Sequence, residues 1–218
     1  MSGVRVLLLA CAALATTGAN AQDTPTLEQE LSALLASLPG EFVGTAPKGM
    51  TPQGETHQLM HRFRAVTAPQ LGERLMYYTV TPDTPANDTA QRPILQAKVF
   101  VFESAPTRSA NTMHALVLTQ AQAEALRDEG DAGWQKLERE GLMSFPSDCF
   151  FTWTRDEAGF NAAGSTTCSY ESRAFKQVIT PRMRYRISEE SFQFEEPLLG
   201  EDGQAIVSTG GLQSAARQ

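Results

Sequence analysis

Short runs in which apolar and polar residues alternate cover most of this chain, each bounded by Gly, Pro, Asn or Asp, and they predict β-strands rather than long helices. In residues 57–66, His57, Leu59, His61, Phe63 and Ala65 share one face, while Gln58, Met60, Arg62, Arg64 and Val66 share the other. Further strands are expected at 41–43, 75–80, 94–103, 113–118, 170–175, 177–180, 182–187 and 191–194. The proline-rich stretch TPDTPANDTAQRP between the strands at 75–80 and 94–103 is long for a hairpin and reads as a mobile loop or a lid. The period lengthens in two places. Leu27, Leu31, Leu34, Leu35 and Leu38 recur at helical spacing, behind Thr24-Pro25 as N-cap and first-turn proline and ahead of the stop at Pro39-Gly40. Thr119-Gln120-Ala121-Gln122 resembles a capping box opening a helix through Arg127, and Asp131 is expected to cap another that carries Trp134 and Leu137. From Ser208 onward no apolar period remains, and residues 208–218 are expected to be a flexible tail.

The most patterned stretch is CFFTWTRDEAGFNAAGSTTC, residues 149–168. Cys149, Phe151 and Trp153 alternate with Phe150, Thr152 and Thr154, a turn forms over 155–159, and the chain runs back from Phe160, which makes a β-hairpin. Gly164 is the expected site of a bulge that brings Cys168 within reach of Cys149.

Whether those cysteines pair depends on compartment. Arg5, the apolar run 6–15 and the small residues Ala19-Asn20-Ala21 match a secretory signal peptide cleaved near Ala21, and the run is too short to span a bilayer. Lipid anchoring at Cys11, behind Leu8-Leu9-Ala10, is the weaker reading because the residues after Cys11 stay apolar and an Ala-x-Ala site follows. Cleavage removes Cys11 and leaves two cysteines of three in a periplasmic or secreted protein, so a Cys149–Cys168 disulfide is expected.

About nine or ten short strands with one helix at the start and one helical insertion favour an antiparallel β-barrel, as a single domain over residues 22–207. Closing the sheet removes its edges and leaves room for one small ligand. Lys and Arg number 18 against 25 Asp and Glu, a net charge of −7, so neither nucleic acid nor an anionic membrane surface is an expected partner. Gly-x-Ser-x-Gly, a phosphate-cradling glycine loop and Cys-x-x-Cys are all absent. On a strand, His57 and His61 lie roughly 13 Å apart, too far to share a metal ion.

The order of several pieces resembles the CpcT/CpeT chromophore lyase family: a leucine-rich helix running into LPGEF, a strand with Tyr77, the strand Lys98-Val99-Phe100, then DCFFTW, GFNAAGSTTC and YES. The resemblance spans roughly residues 31–187. It implies a calycin-like, lipocalin-like barrel that binds a linear tetrapyrrole (a bilin) and helps attach it to a client protein's cysteine. Three features depart from the family pattern: Thr79-Val80 replaces a Glu-Gln pair, Pro93-Ile94-Leu95-Gln96 replaces Pro-Tyr-Arg-Gln, and no Trp-Asp-Arg-Gly segment follows Ile187.

A bilin needs aromatic walls and groups for its propionates and pyrrole N–H donors. On the strands that match the family, Tyr77, Lys98, Phe100, Trp153, Phe160, Tyr170 and Arg173 are the candidate ligand-binding residues; Phe100, Trp153 and Phe160 also read as ordinary core. Arg182, Arg184 and Arg186 are expected to face solvent opposite Met183, Tyr185 and Ile187, and Glu189-Glu190 and Glu195-Glu196 read as surface charge. Two functions are carried forward: a lyase-like bilin protein with a client cysteine as partner, and a non-catalytic periplasmic binding or carrier protein for a small apolar ligand. No resident cofactor is expected beyond such a ligand, and a homodimer is left open.

Overall fold

The structure, a computed structural model, describes residues 24–46, 58–83, 92–105, 107, 109–208 and 211–218. The expected signal peptide, Cys11, His57 and most of the proline-rich loop lie outside the described residues.

The chain opens with helix α1, Leu27–Ser37. Its N-cap is Thr26, two residues beyond the expected Thr24, because Gln29 is placed to complete a reciprocal capping box: Thr26 Oγ1 accepts from the Gln29 N–H, and Gln29 Oε1 accepts from the Thr26 N–H. Strands β1 (Gly40–Thr45), β2 (Gln58–Val66), β3 (Leu75–Pro82), β4 (Gln96–Ala105) and β5 (Ala110–Val117) follow. Then come α2 (Gln120–Glu129), whose Thr119–Gln122 capping box is as expected, and α3 (Asp131–Lys136), which has Gly130 rather than Asp131 at its N-cap. The rest is strand: β6 (Met143–Ser144), β7 (Phe151–Asp156), β8 (Gly159–Gly164), β9 (Tyr170–Ser172), β10 (Gln177–Pro181), β11 (Arg184–Ile187), β12 (Ser191–Glu195), β13 (Leu198–Leu199), β14 (Ala205–Val207) and β15 (Gln213–Arg217).

Ten of these strands close into an antiparallel barrel in the order β4-β3-β2-β1-β15-β12-β11-β8-β7-β5, with β5 returning to β4. The barrel is the expected fold class. A second sheet, β14-β13-β10-β9, flanks it. Among the described residues no helix is long and apolar enough to cross a membrane.

Two cores result. Inside the barrel, the inward residues of the strands meet Leu31 and Leu34 of α1 and Leu38 at its C-cap, and the helix closes one end. Outside it, the other faces of β3 and β4 are covered by α2 and α3 through Ala123, Leu126 and Trp134. That double cover is why β3 is buried from Leu75 through Val80 without alternation.

The tail expected at 208–218 is the main correction: β15 fills the gap between β1 and β12, pairing Phe42 with Arg217 and Phe192 with Ala215. Its neighbour on β1 is Gly44, where a Cβ would lie 2.6 Å from the Ser214 carbonyl oxygen, so the two strands approach on small residues. Only Ala215 of β15 is buried, which leaves no apolar period to read in the sequence. Arg217 then ties the end of β15 to α1. Its guanidinium donates to the Ser37 carbonyl at 2.7 Å and the Pro39 carbonyl at 2.8 Å, and lies 4.5 Å from the centre of the Phe42 ring. α1 has no basic residue in its own last turn, and Arg217 brings that charge to its C-terminal end.

The 149–168 hairpin forms as expected, with its turn made at Gly159, where φ is 136° and a Cβ would meet the Ile187 carbonyl. No bulge occurs at Gly164, which pairs regularly with Phe151. A turn immediately after it, with the Cys168 N–H directed at the Ser165 carbonyl at 3.4 Å, carries Cys168 back to Cys149, and the two form a disulfide. Such a bond is compatible with an oxidising, extracytoplasmic compartment.

Two measurements test this account. Deleting residues 213–218 exposes the edges of β1 and β12, and the expected result is an aggregating chain without a cooperative urea transition. Replacing Cys149 and Cys168 by serine removes a cross-link around a loop of nearly twenty residues and is expected to lower stability by about 3 kcal/mol in urea denaturation while the barrel persists.

Candidate functional site

The barrel interior is filled by rings from the α1 end to its middle. Phe63 lies 4.7 Å from Tyr78 and 5.0 Å from Phe192 between ring centres, Phe100 lies 5.6 Å from Tyr78, and Phe151 stacks on Tyr185 at 5.0 Å. The void left among Leu38, Phe102, Trp153 and their neighbours is about 10 Å³. Polar side chains collect at the other end, where β2, β3, β4 and β11 approach the connection from β12 to β13.

There Lys98 Nζ lies 3.1 Å from Glu196 Oε1, with the two side chains 7% and 15% exposed. The Tyr185 hydroxyl donates to the same oxygen at 2.5 Å. His61 Nδ1 and the Tyr78 hydroxyl are hydrogen-bonded at 2.8 Å, and the His61 ring packs on Phe194 at 4.7 Å. The strand register explains the gathering, since Lys98 and Tyr78 are cross-strand partners on the inward face. Glu196 follows β12 directly and is held in place by the next two residues. The Arg182 N–H donates to the Pro197 carbonyl at 3.0 Å, and Leu198 pairs with Pro181.

Electrostatics make this cluster neutral overall. Burial lowers His61 to about 4, overcoming the opposite pull of Glu196, so its imidazole carries no charge at neutral pH. Burial pushes Tyr78 and Tyr185 well above the ordinary phenol value, and the Glu196 charge pushes them further. Burial alone would raise Glu196, but the Lys98 ammonium and the hydrogen bonds from Tyr185 and Lys98 bring it below the usual carboxylate value. One positive and one negative charge remain, facing each other.

Beside the cluster, an apolar cavity of about 40 Å³ reaches toward the surface along the disulfide. Phe145, Phe150, Phe151 and Met183 form its walls, with Lys98 and Tyr185 also lining it. Of the residues nominated from sequence, Lys98 belongs to this site. Phe100, Trp153 and Phe160 face into the barrel as packed rings. Tyr77 faces outward instead, edge-on to Trp134 at 4.7 Å. Tyr170 sits on β9 against Phe145 at 5.2 Å, and Arg173 is exposed in the turn after it. Neither enters the barrel.

Glu196 corrects the expectation of surface charge: the β12–β13 connection folds back over the barrel and buries it. The outward arginine face is as expected, with Arg184 paired to Glu195 and Arg186 3.5 Å from Asp156. Tyr78 and Tyr185 join the site beyond the sequence-based candidates, and His61 does so by its inward phase on β2.

The His61 environment has a measurable consequence. Its folded value lies below the unfolded one, so between pH 6.5 and about 4 the unfolded chain takes up a proton that the folded protein refuses, and stability falls with pH by up to about 3 kcal/mol. Urea denaturation from pH 7 to 5 is expected to show this slope, and His61→Gln to flatten it.

No family model matches the chain, and no curated protein matches it. Among solved structures, the chain is similar to the T-type phycobiliprotein lyase CpeT from Prochlorococcus phage P-HM1, with a TM-score of 0.42 and 8% sequence identity over 86% of this chain and 97% of that one.

Proposed function

We propose that this protein is a non-covalent binding or carrier barrel for a small, uncharged, largely apolar molecule with one hydrogen-bonding end. The observation that carries the reading is the Lys98–Glu196 pair at the edge of the apolar cavity. A buried ion pair contributes little to stability, because desolvating two charges offsets most of their attraction, whereas breaking one costs about 3–5 kcal/mol. Its presence in an otherwise aromatic barrel therefore points to recognition. Glu196 accepts from both Lys98 and Tyr185 and fixes them in the cavity lining, where Lys98 keeps further N–H donors and Tyr185 a lone pair for a ligand, and Phe145, Phe150 and Met183 enclose the ligand's apolar body.

Charge and size favour this over a linear tetrapyrrole inside the barrel. Lys98 is already matched by Glu196, so two propionates would meet no spare cation there. Pockets for drug-sized ligands run to roughly 300–1,000 Å³, and the barrel cavities among the described residues are about 40 and about 10 Å³. A periplasmic or secreted setting fits the Cys149–Cys168 disulfide, and no covalent step is assigned.

The test uses benzyl alcohol as a neutral probe, whose hydroxyl oxygen can accept from Lys98, and biliverdin as the tetrapyrrole. Calorimetric titration is expected to show saturable binding of benzyl alcohol and no biliverdin band retained through desalting. The double variant Lys98→Met/Glu196→Gln, which removes both charges together, is expected to keep its fold and bind benzyl alcohol about tenfold more weakly, the equivalent of one lost hydrogen bond. Failure of benzyl alcohol to bind the wild type, or equal binding by the double variant, overturns the proposal. A retained, sharpened biliverdin band would replace it with the tetrapyrrole reading.

A further inference from the structure

A second concavity lies outside the barrel, between the outward faces of β2 and β3 and the C-terminal end of α2, with a volume of about 200 Å³. Its chemistry is opposite to that of the protein as a whole. Four arginines line it, Arg62, Arg64, Arg92 and Arg127, and among the described residues no carboxylate does, although the chain carries a net charge of −7. The register makes the gathering structural rather than accidental: Arg62 pairs across strands with Thr79 and Arg64 with Tyr77, so the four side chains form a block on one face of the sheet. Arg127 comes from the last turn of α2, and its guanidinium donates to the Arg92 carbonyl at 3.0 Å, which holds it over the groove.

Three of these arginines have acidic neighbours at the rim. Arg62 meets Glu41 at 2.5 Å, Arg92 meets Asp83 at 3.9 Å and Arg127 meets Asp128 at 3.7 Å. Arg64 differs. It lies 5.9 Å from the centre of the Trp134 ring, with no carboxylate within 4 Å among the described residues. Next to it, Tyr77 is 8% exposed and its hydroxyl is buried without a hydrogen-bond partner while lining the same groove. A buried donor left unsatisfied costs roughly 1–3 kcal/mol, so an acceptor placed there recovers that penalty. Burial also raises Tyr77 to about 12, so the phenol keeps its proton and acts as a donor at neutral pH. Ile94 and Leu126 give the groove an apolar side.

We propose that this groove binds a small organic anion, whose carboxylate or phosphate accepts hydrogen bonds from the Arg64 guanidinium and the Tyr77 hydroxyl and whose apolar part lies against Ile94 and Leu126. A planar guanidinium matches either oxyanion in a bidentate way. The concentration of positive charge in one concavity draws anions to it against the overall negative field. This site is separate from the barrel cavity and asks for an anion where the cavity asks for an uncharged ligand.

The experiment titrates the purified protein calorimetrically with phenyl phosphate, benzoate and inorganic phosphate, with benzyl alcohol as the uncharged control. Saturable binding of phenyl phosphate or benzoate that weakens with added salt is expected, and the tighter of the two identifies the preferred oxyanion. Tyr77→Phe keeps the ring on Trp134 and is expected to bind about tenfold more weakly with an unchanged thermal midpoint, while Arg64→Gln loses more. Both variants are expected to bind benzyl alcohol at the barrel site as the wild type does, which separates failure here from failure of that site. Absence of anion binding, or affinity unchanged in both variants, overturns the proposal, as does a loss of benzyl alcohol affinity in the variants as large as that of the anions.

Discussion

Filling the barrel with aromatic rings is the constraint from which the other features follow. With α1 closing one end and Phe63, Phe100, Phe102, Trp153 and Phe192 occupying the middle, inward polar side chains are confined to the ends: Asn111 donates to the Leu27 carbonyl of α1, and the ionisable groups gather at the far end. Lys98, His61, Tyr78 and Tyr185 collect there, and the β12–β13 connection supplies Glu196 as the matching charge. The cluster is neutral because burial forces it to be: an uncompensated ion or a protonated imidazole in that place would cost several kcal/mol.

The two concavities divide the chemistry of the protein by sheet face. Inward residues of β4, β7 and β11 belong to a charge-matched, apolar-walled cavity, while outward residues of β2 and β3 belong to a basic groove under α2. The division is possible because α2 and α3 cover the outer face of β3 and β4 and turn what would be a solvated barrel wall into a second interior. Tyr77 and Tyr78, adjacent in sequence, end on opposite sides of that wall, one against Trp134 and the other against His61.

That double burial also marks where the sequence stopped being legible. The alternation in β2 placed Leu59, His61 and Phe63 on one face without ambiguity, and the helix periods, the hairpin, the Thr119–Gln122 capping box and the antiparallel barrel followed from similar local rules. In β3 six consecutive residues are buried, so no pattern could tell Tyr77 from Tyr78. Glu196 has no local signature of burial, because its position depends on Pro181 at the end of β10 and on Arg182 just after it. β15 escaped notice for a different reason: a strand that packs on Gly44 through Ser214, Ala215 and Ala216 carries small residues where an apolar period would be looked for.

The Arg217 link, with its hydrogen bonds to Ser37 and Pro39, joins two segments separated by nearly the whole sequence. Until β15 arrives, β1 lacks one neighbour and α1 lacks the charge at its C-terminal end, so neither can reach its final arrangement early. Closure is thus an event of very long sequence separation, and folding of this barrel should be governed by a late, entropically slow docking step. During that interval the incomplete sheet exposes two open edges, at β1 and β12, which is when the chain is most exposed to pairing with its own copies.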